Sequence, residues 1–202
     1  MLKHNLSIIL NQATASELNH AANWYREARL FCYNISDLYG VSFKKTCAIM
    51  AAMSPRNKWE RNKTDTENFV KFKLGLTEEN IFATYGKMVG KAHSIFDADT
   101  DSVNEMLRLL NGPKISAFFL NIYDVENNGV TVDTWIHLAA LNQYIPIDKR
   151  PSLSKADYNA ISDAIKELAS ENAMTAPSAQ AAIWLAFKRL TEEGQYGYTI
   201  GF

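Results

Sequence analysis

Two side chains stand where their types and spacing suit chemistry. Lys114 follows the tripeptide Asn111-Gly112-Pro113, and Asp133 lies 19 residues further on, ahead of the apolar run Trp135, Ile136, Leu138, Ala139 and Leu141. A neutral amine is a nucleophile, and a carboxylate stabilises a developing cation or takes a proton. Asn-Gly-Pro reads as a tight turn, with Gly112 supplying a positive φ and Pro113 preset for the first turn of a helix. Lys114 is then expected at a helix start, beside amide N–H groups that favour anions. A lysine there opposes the helix dipole, so stability alone would favour Asp or Glu. Asp133 also has the plain reading of a helix N-cap.

The elements that must position these residues read as helices throughout. Thr14 to Glu17 forms a capping box, and Leu18, Ala21, Ala22, Tyr25, Ala28, Cys32, Ile35 and Leu38 repeat at helical spacing until Gly40. Ser42 starts a helix with Phe43, Cys47, Met50 and Met53 inward, and residues 57 to 74 make another that carries Trp59, Phe69 and Val70. A short helix opened by Thr77-Glu78-Glu79 and broken by Gly86 is expected next, then one over about 89 to 97. Ser102, with Glu105 three residues on, caps the helix that enters the turn. A helix from the turn to about Asp124, the Asp133 helix, and helices over 154 to 171 and 177 to 190 complete the chain. No alternating β-branched run competes, so the fold class is all-α.

In 202 residues, 47% hydrophobic and 21% charged, one sizeable core or two small lobes are expected. The net charge of −1 argues against a general nucleic-acid coat, because such binding needs many neutralised phosphates. Locally, however, Arg56, Lys58, Arg61 and Lys63 face only Glu60. A basic face on a neutral protein fits that pattern. Cys32 and Cys47 fall in apolar helical patterns and read as buried, reduced thiols. The four histidines show no metal-ligand spacing, so no metal is expected. Leu6 to Leu10 is too short for a signal-peptide core or a membrane span, which gives a cytoplasmic expectation with no membrane partner.

The segment from Leu110 to His137 resembles the helix-hairpin-helix DNA glycosylase superfamily, in its endonuclease III-like branch. There a hairpin of the form L-P-G-V-G-R-K-T-A runs into an apolar helix and then a V-D-T segment. Ala52 to Lys63 is similar to the family's L-S-A-Q-A-T-D-x-x-V-N-K segment, and Tyr85 to Ala92 to its I-G-x-x-x-x-K-A segment. The hairpin is one residue shorter here, with a single glycine, and Pro113 removes a phosphate-binding donor. The iron-sulfur cysteines are missing, and Pro55 stands where the family has a DNA-wedging glutamine. The pattern is that of a diverged, compact, phage-type member without the cluster, in the host cytoplasm if phage-encoded.

The resemblance implies a two-lobed fold, with lobe A formed by 1–40 plus 146–202 and lobe B by 41–145, and a cleft between them that receives a flipped base. It implies double-stranded DNA with a damaged or modified base as partner, and no cofactor. Lys114 and Asp133 match the family's nucleophile and aspartate. Trp59, Trp135 and His137 are the base-pocket candidates. Arg56, Asn57, Lys58, Arg61, Lys63, Asn111, Gly112 and Ser116 are the DNA-binding candidates, with Arg56 or Asn57 filling the gap left by the base. The implied activity is DNA N-glycosylase chemistry, with or without AP-lyase strand cleavage. Two alternatives keep the residues but change the role: a phage base-hypermodification protein with a glycosylase-like pocket, and a non-catalytic DNA-binding module.

Overall fold

The computed structural model describes residues 1–146 and 149–196, and within them the chain is all-helical. Ten helices are formed among the described residues: α1 (Leu2–Leu10), α2 (Ala15–Tyr39), α3 (Phe43–Met53), α4 (Trp59–Lys73), α5 (Gly86–Asp97), α6 (Val103–Leu110), α7 (Pro113–Tyr123), α8 (Thr134–Leu141), α9 (Lys155–Glu171) and α10 (Ala176–Glu192). The chain folds as two compact units, one of Met1–Tyr25 with Asn128–Phe202 and one of Arg26–Asn127. The sequence reading divides it instead at 40/41 and 145/146. In the structure 26–40 groups with α3 to α7, and 128–145, with α8 and Asp133, groups with α1, α9 and α10.

The central unit is built around α3. Helices α4, α5, α6 and α7 all pack on it. Every residue from Thr46 to Met53 is buried, so this stretch of α3 is enclosed on all sides rather than on the single face expected of it. Phe69, Ile95, Met106, Leu110, Phe119 and Ile122 are fully enclosed. Burying side chains of this size contributes about 1.5–3 kcal/mol each.

The terminal unit packs α1 against α8, α9 and α10, around Leu6, Ile9, Ile136, Leu138, Ile165, Ile183 and Phe187. Helix α1 was not anticipated; its nine residues carry too few apolar positions for periodicity to separate them from an irregular apolar run. In α2 the buried stripe is Ala21, Ala28, Cys32 and Ile35, while Leu18 and Leu38 are exposed.

Capping follows the sequence closely. The Thr14 amide donates to Glu17 at 2.8 Å and the Glu17 amide to Thr14 Oγ1 at 3.2 Å, a reciprocal box. Ser102, Ser154 and Thr175 cap α6, α9 and α10 through N–H groups three residues on.

The short helix expected over 77 to 85 is absent, and Gly86 begins α5 rather than breaking a helix. The reason is that this segment's backbone bonds outward. Asp65 accepts from the Ala83 amide at 2.9 Å and Arg61 donates to the Ile81 carbonyl at 3.2 Å, while the Thr84 hydroxyl donates to the Pro55 carbonyl at 2.9 Å. Backbone groups committed to α4 and its preceding loop are unavailable for an i to i+4 ladder.

A two-residue hairpin and a fastened aspartate

Helices α6 and α7 are joined by Asn111 and Gly112 alone. The left-handed residue is Asn111, at φ 40°, and its amide bonds back to the Leu107 carbonyl at 3.0 Å. Gly112 is extended, and a Cβ there would only touch Ile115 at an ordinary 3.5 Å. The positive φ expected of Gly112 is therefore carried by its neighbour, which asparagine tolerates better than most residues. Pro113 occupies the first turn of α7 as expected, and no side chain caps that helix. Lys114 sits in this uncapped first turn, half-buried and without an ion pair among the described residues. Ser116 donates its amide to the Gly112 carbonyl, an ordinary helical bond.

The hairpin is secured from behind by Lys91 of α5, whose ammonium donates to the Leu109 carbonyl at 3.4 Å and to the Leu110 carbonyl. A cation at a helix C-terminus satisfies orphan carbonyls and complements the dipole. Burial lowers the Lys91 pKa, with Lys87 adding repulsion.

The basic segment is largely engaged in its own unit. Asp65, fully buried, accepts from Arg61 Nε at 2.6 Å and from Asn57 Nδ2 at 2.9 Å. Asn57 also donates to the Met53 carbonyl, so it is turned toward the protein, not held out to fill a gap in a duplex. Lys63 pairs with Glu60 at 2.8 Å and lies over the Trp59 ring. Arg56, at φ 55°, is exposed and stacks over Tyr85, and Lys58 is exposed at the start of α4. Trp59 is half-buried and meets Phe118 edge-on at 6.5 Å between centroids.

Asp133 belongs to the terminal unit, whereas Lys114 belongs to the central one. Asp133 is the N-cap of α8: its Oδ1 accepts the Ile136 amide at 2.9 Å. Its Oδ2 accepts the indole N–H of Trp184, on α10, at 3.2 Å. Thus both carboxylate oxygens are aimed by fixed donors. The extended stretch leading to it is fastened by side chains. The Ala176 amide donates to Asn128 Oδ1 at 2.9 Å, and Tyr158 donates to the Val130 carbonyl at 2.8 Å. The Tyr25 hydroxyl meets Thr131 at 3.1 Å and Gln180 at 2.8 Å. Burial raises the Tyr158 pKa, and the Asp133 charge adds to it.

Around Asp133 the terminal unit gathers aromatic rings. Trp184 packs against Trp24 at 5.5 Å, and Trp135 against Tyr144 and Phe187 at 6.3 and 6.2 Å. Trp135 and Trp59, paired as base-pocket candidates, thus fall in different units. His137 is only 6% exposed within the α8 face of the core, and burial lowers its pKa while Asp157 opposes the shift. It is a packed core histidine rather than a pocket residue. Trp184, Trp24 and Tyr158 went unanticipated around Asp133, because their periodicity marks them only as apolar positions on long helices. Among the described residues no group of His, Cys, Asp or Glu is placed to hold a metal, and no helix is long and apolar enough to cross a membrane.

Residues 1–191 match the family of unknown function DUF7178, and the chain belongs to that family. No curated protein and no solved structure matches it.

Proposed function

We propose that this protein is a DNA N-glycosylase acting on a damaged or modified base, with Asp133 as the carboxylate of the reaction. The observation that carries the reading is the double fixation of Asp133 by the Ile136 amide and the Trp184 indole, inside a group of half-buried aromatic rings. Breaking an N-glycosidic bond develops positive charge on the sugar, and an oriented carboxylate in a partly desolvated setting stabilises it without reorganisation. The target nucleotide must leave the stack for its sugar carbon to be reached, and aromatic faces offset the lost stacking.

The hairpin supplies the second support. A two-residue connection followed by an uncapped α7 offers backbone amides to a phosphate. Lys114, in that turn, is the candidate amine for C1′ attack, which expels the base and leaves a Schiff base open to β-elimination. A water nucleophile activated beside Asp133 gives base release without strand cleavage.

Borohydride trapping separates these outcomes. The protein is incubated with duplexes carrying an abasic site or a panel of modified bases and then reduced, with Lys114→Ala and Asp133→Asn alongside. An adduct lost in Lys114→Ala supports the lysine mechanism. Base release without an adduct, slowed by about two to three orders of magnitude in Asp133→Asn, supports water. Neither adduct nor base release on any substrate overturns the catalytic reading and favours a DNA-binding or base-hypermodification role.

A further inference from the structure

The terminal unit holds a pair of cations set over its aromatic rings, one of them, Arg150, also held by a hydrogen bond from its Nε to the Ile145 carbonyl at 2.8 Å. Arg150 lies over the Trp135 ring at 5.5 Å and over Tyr144 at 5.5 Å. Lys188 lies 5.9 Å from the same Trp135 ring and 4.3 Å from Trp184, the ring that donates to Asp133. Neither cation has a carboxylate partner among the described residues. Other cations of this unit are spent on carboxylates: Arg189 is shared between Glu17 and Glu193, and Lys3 between Glu167 and Glu171.

We infer that Trp135, Trp184, Arg150 and Lys188 form a phosphate-backbone contact for one strand of a nucleic acid, beside Asp133. The chemistry fits a phosphodiester better than a free carboxylate. Each cation is oriented by a ring, and the rings offer apolar faces to sugar and base. The ring stacking also keeps both side chains ordered before binding, which lowers the entropy lost on contact. None of these four residues lies in the hairpin, so this contact adds to whatever the α7 amides hold. The inference rests on the reading of a DNA-acting protein but not on catalysis.

The test is the salt dependence of binding to a 20-base-pair duplex containing a tetrahydrofuran abasic analogue, read by fluorescence anisotropy. Each neutralised phosphate contributes about 0.9 to the slope of log K against log salt. Arg150→Gln and Lys188→Gln should each reduce the slope by about that amount, while Lys188→Arg should retain it. Lys166→Gln, on the same unit and paired with Asp163, should leave it unchanged. A purely structural role moves affinity or melting temperature but not the slope. Unchanged slopes in both Gln variants, with wild-type binding intact, overturn this contact and leave the glycosylase reading standing. Reduced slopes in a protein that releases no base support the contact and count against the glycosylase. Absence of salt-dependent binding by the wild-type protein overturns both.

Discussion

Replacing Asp133 by Ser or Asn separates a carboxylate that caps a helix from one that does chemistry. Asp, Asn and Ser are nearly equivalent N-caps, so either variant keeps the Ile136 bond and the end of α8. What is lost is the charge and the second acceptor for Trp184 Nε1, which is half-buried and regains some water. That loss should cost about 0.5–1.5 kcal/mol of stability. The effect on reaction is of another size. A carboxylate about 4 Å from a developing sugar cation, at an effective dielectric of about 20, stabilises it by about 4 kcal/mol, or roughly a thousandfold in rate. Urea denaturation should therefore show both variants folded, and single-turnover base release should fall by two to three orders of magnitude (about 3–4 kcal/mol). Trp184→Phe, which leaves the charge but frees one oxygen, should be intermediate. Base release at the wild-type rate in both Asn and Ser variants would sink the argument and leave Asp133 a cap alone.

Three further outcomes follow from the packing. Asp65→Ala should destabilise the central unit by about 3 kcal/mol, because it strands Asn57 and the Ala83 amide as well as Arg61, and should speed hydrogen exchange at Ala83; Arg61→Ala, half-exposed, should cost about 1 kcal/mol. Lys91→Met should cost about 1 kcal/mol and raise amide exchange at Asn111, whose bond to Leu107 closes the helix that Lys91 caps; unchanged exchange would mean the cap is incidental. Burial holds the His137 pKa below its usual 6.5, so as pH falls through about 6.5 the unfolded chain takes up a proton that the native state resists. Stability from this group is full above that pH and declines below it. The melting temperature should fall less between about pH 7 and 5.5 in His137→Gln than in the wild type, and equal slopes would refute the assignment.

Much of the local structure was legible without coordinates. The capping box at Thr14-Glu17, the caps at Ser102 and Asp133, Pro113 in the first turn of α7 and the all-helical class rest on interactions within about four residues. Such interactions are written in neighbouring letters. The segment 77–85 misled because its propensity was helical while its hydrogen bonds went to Asp65, Arg61 and Pro55, 18 to 29 residues away. The turn chemistry also shifted by one residue: either Asn111 or Gly112 accepts a positive φ, and the structure places it on the asparagine.

The surroundings of Asp133 belong wholly to the tertiary structure. Its indole donor comes from Trp184, 51 residues on, and the chain before it is tied down by Tyr25, Tyr158 and Gln180, from three different helices. Periodicity marks each of these positions as buried or exposed but says nothing of its partner across the fold. Likewise, four basic residues in one stretch count as a charge patch in sequence, yet Arg61 and Lys63 are spent on Asp65 and Glu60. Arg150 and Lys188, scattered by 38 residues, converge on one tryptophan. Most of the helices and their caps were legible in the sequence, because those rest on short-range energies, whereas the segment 77–85 was decided by distant partners. Which polar groups meet was decided only when long-range packing brought distant helix faces together.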